Sequence, residues 1–467
     1  MSLAIVIMAA GKGTRLKSRR PKVLHAIGGK PLLSHVIAAA AQVVPSSDIF
    51  VIVGHQAEMV RAAVASSGVQ FVDQPQQNGT GHAIQCARKA IAGYDDFLVL
   101  SGDAPLIRPE TIRLVRDFHQ QQAAAMTLLS AIPEHSYGYG RVLRKAPDSP
   151  EVAAIVEQKS ATPEQQAIRE INSGMYAFRS QAVLPRLDEL KTENPHAEYY
   201  LTDMAAILNR AGERVVAVPA PDANEILGAN TIAELVALDS ELRRKTAHRL
   251  MAQGVTIFQP ETSVIDAEAE IGPDTVLEPG VQILGKCRIG SDCLIRTGSI
   301  LESATLADNV LVRPYCFIAD ATIQSGAKIG PFAHLRPGTV VGEDAHVGNF
   351  VEIKNVTLGK GAKANHLTYL GDGEVGAGSN IGAGVITCNY DGVNKHRTTI
   401  GAGVFVGSDS TLVAPITIGD GAYIGAGSCI TQSLPADSLG VARARQIVRE
   451  GWAVGKRARL QELKQKK

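Results

Sequence analysis

This sequence of 467 residues lacks paired cysteines, long apolar runs and an excess of either charge. Its six cysteines, Cys86, Cys287, Cys293, Cys316, Cys388 and Cys429, show no CxxC pair and no zinc-like spacing with histidine. That excludes a disulfide framework and a thiolate metal finger, and reads them as reduced, small core residues. No run reaches the roughly 18 apolar residues that span a bilayer, and the short apolar start at residues 3–10 has no basic leader. A cytoplasmic protein without a membrane partner is therefore expected. Lys plus Arg (47) nearly equals Asp plus Glu (46), so no overall field exists to hold a nucleic-acid duplex. Small molecules become the default partners.

What is present points to more than one domain. Apolar residues make up 45% of the chain and charged residues 20%, enough for ample core. A single core stops growing near about 250 to 300 residues. Glycine divides the chain, with 15 of the 45 in residues 1–230 and 30 in residues 231–467. In the first part, β-rich runs at Leu3–Met8, Ile49–Val53 and 97–100 alternate with helical stretches at 32–43 and 83–92, the pattern of a parallel sheet covered on both faces. Thr231 and Glu234 then fit a capping box opening a helical linker over 231–253. Ile232, Leu235, Leu238 and Leu242 recur along it at helical spacing, and Arg243, Arg244 and Lys245 are its solvated face.

From Ile265 the spacing changes. Ile265, Ile271, Leu277, Ile283, Ile289, Ile295 and Leu301 fall six apart, as do the runs from Ile323 to Ile353 and from Ile400 to Ile430, and glycine often follows the aliphatic. A six-residue unit is one short strand plus a corner, with one side chain pointing inward. Such units stack into a parallel β-helix over 254–440. Three units per coil give coils of 18 residues and, from Ile265 to Ile430, roughly nine coils and a prism roughly 40 to 45 Å tall. The rhythm breaks between Ile381 and Ile400 around Thr387-Cys-Asn-Tyr-Asp-Gly392, where a loop can build a binding surface. The tail, 441–467, carries Arg457, Arg459, Lys464, Lys466 and Lys467 and reads as a solvated or helical cap.

Chemistry in the first part starts at Met8-Ala9-Ala10-Gly11-Lys12-Gly13-Thr14-Arg15, directly after the first strand, where glycines let backbone amides approach a phosphate. The stretch lacks the third glycine of the dinucleotide fingerprint and the GK[ST] ending of the P-loop. Arg15 and Lys22 bring two cations behind it, as a triphosphate requires. Ser101-Gly102-Asp103 follow another strand at its carboxyl end, where open parallel sheets bind ligands, and a carboxylate there suits Mg²⁺. With Gln74, the Gly79-Thr80-Gly81-His82 segment, Gly138-Tyr-Gly140-Arg141, Val156-Glu157 and Glu170-Ile-Asn172-Ser-Gly174, this part resembles the sugar-1-phosphate nucleotidylyltransferases. The resemblance implies an α/β Rossmann-like nucleotidyltransferase domain over 1–230. In it a sugar-1-phosphate oxygen attacks the α-phosphorus of UTP and expels pyrophosphate. It also implies that Arg15 and Lys22 balance the phosphates, that Asp103 and Asn230 hold Mg²⁺, and that Gln74, Gly79 and Thr80 read the uracil. Gly140, Glu157 and Asn172 hold the sugar, with Met8, Ala9, Ala10, Gly11, Ser101 and Gly102 completing the UTP and nucleotide-sugar surface. Ser101 stands where some relatives carry an aromatic residue, and Asn230 also reads as a helix-start residue.

In the second part, His366 interrupts the aliphatic rhythm within Asn365-His-Leu-Thr-Tyr-Leu-Gly371. An isolated histidine there is more often structural. Arg336 and Lys354, however, lie one coil of 18 apart and can clamp one phosphate, and the Asn389-Tyr390 loop follows about a coil later. On a hexapeptide solenoid fused to a nucleotidylyltransferase, these motifs resemble the bacterial family of bifunctional N-acetylglucosamine-1-phosphate uridylyltransferase and glucosamine-1-phosphate N-acetyltransferase enzymes. The resemblance implies a left-handed β-helix, a homotrimer and acetyl-CoA bound between subunits, with His366 as general base. Arg336, Lys354, Tyr369 and Asn380 bind glucosamine-1-phosphate, while Ala383, Asn389, Tyr390, Ser408, Ala426 and Arg443 contact acetyl-CoA. The acetylated product, N-acetylglucosamine-1-phosphate, feeds the first domain, so that UDP-N-acetylglucosamine emerges for peptidoglycan and outer-membrane glycolipid. Two rival readings are a single-activity nucleotidylyltransferase with a scaffolding solenoid, which His366 and the NYDG loop oppose, and a noncatalytic relative such as the eukaryotic initiation-factor exchange subunits. Arg15, Lys22 and Asp103 oppose the second.

Overall fold

The computed structural model describes residues 1–465 apart from His135, Tyr137, Ser160 and Pro195. Lys466 and Lys467, counted in the basic tail, lie outside the described residues. The chain forms two compact units, Met1–Lys245 and Thr246–Lys467.

Among the described residues the main sheet of the first unit has nine strands: β1 (Leu3–Met8), β2 (Ile49–Val53), β3 (Gln70–Asp73), β4 (Asp96–Ser101), β5 (Met126–Ala131), β6 (Arg141–Arg144), β7 (Val152–Val156), β8 (Ile171–Arg179) and β9 (Val215–Pro219). They run in the order β9–β5–β8–β4–β1–β2–β3, and the β6–β7 hairpin joins through β8. β1 pairs in parallel with both β2 and β4, whereas β8 runs antiparallel to β4 and β5. The runs LAIVIM, IFVIV and DFLVLS are buried almost end to end because helices cover both faces of the sheet. Those helices include α1 (Leu32–Ala40), α2 (Ala57–Ala63), α3 (Thr80–Ile91), α4 (Pro109–Gln121) and α5 (Met204–Arg210). Chain order reverses at β1, which places the loops after β1 and β4 side by side at a topological switch point. Met8 is paired with Ser101, and the Gly102 N–H donates to the Met8 carbonyl at 3.0 Å.

Helix α6 (Ile232–Ala252) begins in the first unit and ends in the second. Its capping box is formed: the Thr231 hydroxyl accepts from the Glu234 N–H, and the Glu234 carboxylate accepts from the N–H groups of Thr231 and Asn230. The linker expected over 231–253 thus packs at both ends, Leu238 in a cluster with Ile27, Leu32 and Leu106, and Leu250 in the solenoid core.

The second unit is the left-handed parallel β-helix that hexapeptide repeats build. One wall holds eleven strands, each paired with the strand one coil away. Pairings lead from Ile265 through Ile283, Leu301, Ile318, Leu335 and Ile353 to Leu370, cross to the next coil at Tyr369–Ile386, and run from Thr387 through Leu412 to Ile430. Inward aliphatics such as Ile283, Leu335, Ile353 and Leu412 have no exposed surface. The coil length departs from the expected 18. Ile295 pairs with Val312 and Val347 with Ala364, both 17 apart, because a five-residue unit turns through a non-glycine residue of positive φ, as at Ser303, Asp320, Asn355 and Asp372. Ile381 pairs with Val406, 25 apart, where the NYDG loop is extruded. Cys287, Cys293 and Cys316 are buried as expected. Cys86 and Cys388 are only partly so, and Cys429 is exposed, which corrects its reading as a core residue. All six are free thiols. The tail ends in helix α7 (Trp452–Gln465), exposed throughout. No helix of the described residues is long and apolar enough to cross a membrane.

One glycine shows how tightly the coils meet. A Cβ on Gly348 would lie 1.8 Å from the Asn365 carbonyl oxygen, a backbone atom that no rotamer change can move. Gly348→Ala should therefore cost the second unit about 1–3 kcal/mol, read as a lower urea midpoint. An unmoved midpoint would show that the close approach is not required.

Candidate active sites

In the first unit a cavity of about 900 Å³ opens at the switch point. Met8, Ala9, Ala10, Gly11, Lys22, Gln74, Gly79, Thr80, Ser101 and Asp103 line it, together with Lys12, Thr14, Asn78 and Glu198, which the sequence reading did not single out. Gly79 must be glycine: its φ is +105°, and a Cβ would meet the Tyr199 carbonyl at 2.5 Å. Gln74 is buried and its Nε2 donates to the Gly79 carbonyl at 3.0 Å, while the Thr80 hydroxyl accepts from the Leu201 N–H at 3.0 Å.

The cations and their partners meet at one point. Lys22 Nζ forms an ion pair with Asp103 Oδ2 and donates to Asn230 Oδ1 at 2.8 Å, and an Arg15 guanidinium nitrogen donates to the same oxygen at 2.7 Å. A carboxylate and an amide oxygen therefore face a common cation. Two hard oxygens with room for substrate phosphates fit Mg²⁺, which dehydrates reluctantly and takes few protein ligands. Among the described residues no cluster of three or more His, Cys, Asp or Glu side chains offers a full protein cage. Gly228, missed in the sequence, makes room here, since a Cβ would lie 2.7 Å from Asp103 Oδ2.

Gly140, Glu157 and Asn172 form a second group. The Asn172 N–H donates to the Gly140 carbonyl at 2.8 Å, and a Cβ on Gly140 would sit 3.5 Å from Glu157 Oε1. Burial, and then the Asp203 carboxylate, push Glu157 above the usual carboxylate range. Asn172 Nδ2 donates to the Tyr176 hydroxyl, whose own pKa burial raises strongly. These three residues lie outside the lining of the large cavity. Gly174, two residues on from Asn172, links the groups, because a Cβ there would be 3.6 Å from Ser101 Oγ.

In the second unit His366 stands at a corner of the prism, exposed, with Nδ1 2.6 Å from Asn349 Oδ1. Facing a carboxamide oxygen, Nδ1 is the nitrogen that donates, which in the neutral ring leaves the lone pair on Nε2. Asn349 was not foreseen, although it lies 17 residues before His366, one short coil. The corner then repeats: Leu367 N–H donates to Asn349 O, Gly384 N–H to His366 O, Asp409 N–H to Ala383 O and Gly427 N–H to Ser408 O. Asn349, His366, Ala383, Ser408 and Ala426 are thus one column, one residue per coil, and Arg443 continues it with its Cδ 3.9 Å from a Cβ placed on Gly427. At strand spacing, Ala426 lies roughly 14 Å along the column from His366.

A polar cluster occupies the adjoining face. Lys354 Nζ lies 3.4 Å from both Asp372 oxygens, and Asp372 also accepts from Asn355 Nδ2 at 2.9 Å and Asn389 Nδ2 at 2.5 Å. Burial raises the Asp372 carboxyl, but these hydrogen bonds outweigh it and hold the group below its ordinary value. Lys395, carried over by the NYDG loop, lies beside Lys354. Contact with that neighbouring ammonium lowers the Lys395 pKa, while Lys354, touching Lys395 and Asp372, is raised. Arg336 pairs with Glu352 at 2.9 Å, and a Cβ on Gly371 would meet both the Tyr369 hydroxyl and Asn389 Nδ2. The structure does not bring Asn380 to this cluster; it sits on the eleven-stranded wall, paired with Lys363 and Phe405. The Tyr390 hydroxyl donates to Gly392 within its own loop.

Comparison with known proteins finds matches to both parts of the chain. Residues 5–198 match the MobA-like NTP transferase domain, and residues 320–355 and 397–432 match the bacterial transferase hexapeptide, six repeats. The chain is thus an NTP transferase joined to a hexapeptide-repeat transferase. It is 58% identical over 465 residues to the bifunctional protein GlmU of Koribacter versatilis, covering 99% of this chain and 98% of that one. It is 52% identical to the protein of the same name from Solibacter usitatus, with 97% of each chain covered. For Pelobacter propionicus the identity is 43%, covering 97% of this chain and 98% of that one. The chain belongs to the GlmU family of bifunctional proteins.

If Asn349 sets the tautomer of His366, Asn349→Ala should lower kcat for the reaction at this corner by about 10- to 100-fold with a small effect on KM. Unchanged kcat would remove Asn349 from the mechanism.

Proposed function

We propose that the chain makes UDP-N-acetylglucosamine in two steps, acetyl transfer from acetyl-CoA to glucosamine-1-phosphate in the second unit and uridylyl transfer from UTP in the first. The observation that carries this reading is the single column of His366, Ala383, Ser408 and Ala426 beside the Lys354–Asp372–Asn389 cluster. A passive scaffold would have no use for a base, a cationic clamp and a straight column of small residues side by side.

In the acetyl step the phosphate of glucosamine-1-phosphate lies on Arg336, Lys354 and Lys395, with Tyr369 beside them. This positions the amine toward His366. The amine nitrogen attacks the thioester carbonyl, His366 Nε2 accepts the amine proton, and the CoA thiolate leaves. The rest of acetyl-CoA runs along Ala383, Ser408, Ala426 and Arg443, flanked by Asn389 and Tyr390.

Uridylyl transfer needs little covalent help from the protein, since positioning and charge balance dominate phosphoryl chemistry. The N-acetylglucosamine-1-phosphate oxygen attacks the α-phosphorus and pyrophosphate leaves. Arg15 and Lys22 neutralise the phosphates, and Gln74, Gly79 and Thr80 hold the uracil. Gly140, Glu157 and Asn172 hold the sugar. Asp103 and Asn230 would hold Mg²⁺, which when bound supplies further neutralisation of the triphosphate.

The working form is a homotrimer. A prism corner is convex, so a pocket at His366 needs a second surface, and Asn380 lies on a different wall from Lys354. Beside the corner runs an exposed ladder, Tyr315, Phe332, Phe350 and Leu367, with successive aromatic rings stacked 5.4 and 5.3 Å apart, an apolar strip suited to another copy. The six free thiols suit a reducing compartment, the cytoplasm.

His366→Ala should abolish CoA release and spare pyrophosphate release, while Asp103→Asn does the reverse; equal loss of both activities in either variant would sink the two-site reading. Mixed trimers of His366→Ala and Asn380→Ala chains should recover acetyl transfer that neither variant shows alone. Failure to recover it would place Asn380 outside an interfacial site.

A further inference from the structure

We infer that His82 is a positioning residue that sets the nucleobase preference of the first site by fixing the carboxamide of Gln74. The inference rests on the reading above that Gln74 meets the base.

Gln74 follows β3, lines the large cavity and is only 4% exposed. Its Nε2 has two acceptors within reach, the Gly79 carbonyl at 3.0 Å and His82 Nδ1 at 3.2 Å. A backbone carbonyl can only accept, so the nitrogen end of the carboxamide must point that way. Both N–H groups are then used. Oε1, which takes part in no hydrogen bond among the described residues, is left as the unused acceptor of a side chain that lines the cavity. Accepting at Nδ1 places the His82 proton on Nε2, 3.7 Å from Cys86 Sγ, and the Tyr199 ring lies beside the imidazole at 6.3 Å. His82 sits in the first turn of α3, so helix, imidazole and carboxamide form one held unit.

An acceptor presented to the cavity selects a base with a proton at N3. Uracil has that N–H. Cytosine carries a lone pair on N3, and two acceptors facing each other repel. Without the His82 nitrogen the carboxamide keeps one hydrogen bond and can turn its NH₂ group inward, which suits cytosine. A histidine that only filled space would, when replaced, weaken every nucleotide alike.

The test uses the full-length protein and compares kcat/KM for pyrophosphate release with UTP and with CTP, acetyl transfer by the same chain reporting its integrity. His82→Leu should lower the UTP-to-CTP ratio by about tenfold or more, chiefly through KM for UTP. His82→Asn, whose Oδ1 falls near the place of Nδ1, should restore most of the ratio. An unchanged ratio in His82→Leu together with a lowered ratio in Gln74→Ala overturns the role of His82 and leaves Gln74 as the reader. An unchanged ratio in Gln74→Ala overturns the reading of Gln74 itself. If His82→Leu releases no pyrophosphate at all, His82→Asn decides: a ratio kept near that of the unaltered protein supports the inference, and a lost ratio overturns it.

Discussion

Every strand of the solenoid is hydrogen-bonded in parallel to the strand one coil away, and that register dictates what the second unit can do. A residue at a given place on one coil is repeated directly above by its counterpart, most often 17 or 18 residues later and 25 residues later across the NYDG loop. Side chains are thereby sorted into columns without any tertiary contact of their own. The inward column is aliphatic and buries the core, while the corner column carries Asn349, His366 and the residues beyond. An enzyme built this way need not fold a pocket from distant segments; it needs only a few polar substitutions at equivalent places. The extruded NYDG loop adds what a column cannot, bringing Asn389 and Lys395 sideways onto Asp372 and Lys354.

The first unit solves a different problem, holding several charges close together in a half-buried cleft. At rest Asp103 offsets the charge of Lys22, and Arg15 and Lys22 both donate to the neutral Asn230 carboxamide oxygen. Asn230 contributes twice. Its side chain joins this cluster, and its backbone N–H is fixed by Glu234 in the capping box of α6. The helix-start reading of that residue holds, and it leaves the side-chain oxygen available for the proposed role at the cation cluster.

The fold was legible wherever the pattern depended on burial. Leu3–Met8 and Ile49–Val53 emerge as strands with the bounds their apolar runs suggest, since a strand covered on both faces must be apolar throughout. The five-residue coils were not legible, because a missing residue at a corner leaves the inward aliphatic in place and shifts only the count. Among site residues, those carried on motif glycines or on the coil period, such as Gly79, Lys354 and His366, could be named from sequence. Asn349 and Asp372 were within reach of the same period and were passed over. Lys395 was out of reach, since it lies on an irregular loop whose path no periodicity describes.

The corner column has a further consequence. Its rungs are evenly spaced, so on the proposed reading it is a ruler whose zero is the His366 imidazole and whose marks are Ala383, Ser408, Ala426 and Arg443. The length of an acyl carrier that can lie along it is thereby written into a coil count rather than into the shape of a cavity. Removing one coil between Ser408 and Arg443 would leave the core, the base and the clamp in place, yet bring the far mark one rung too near.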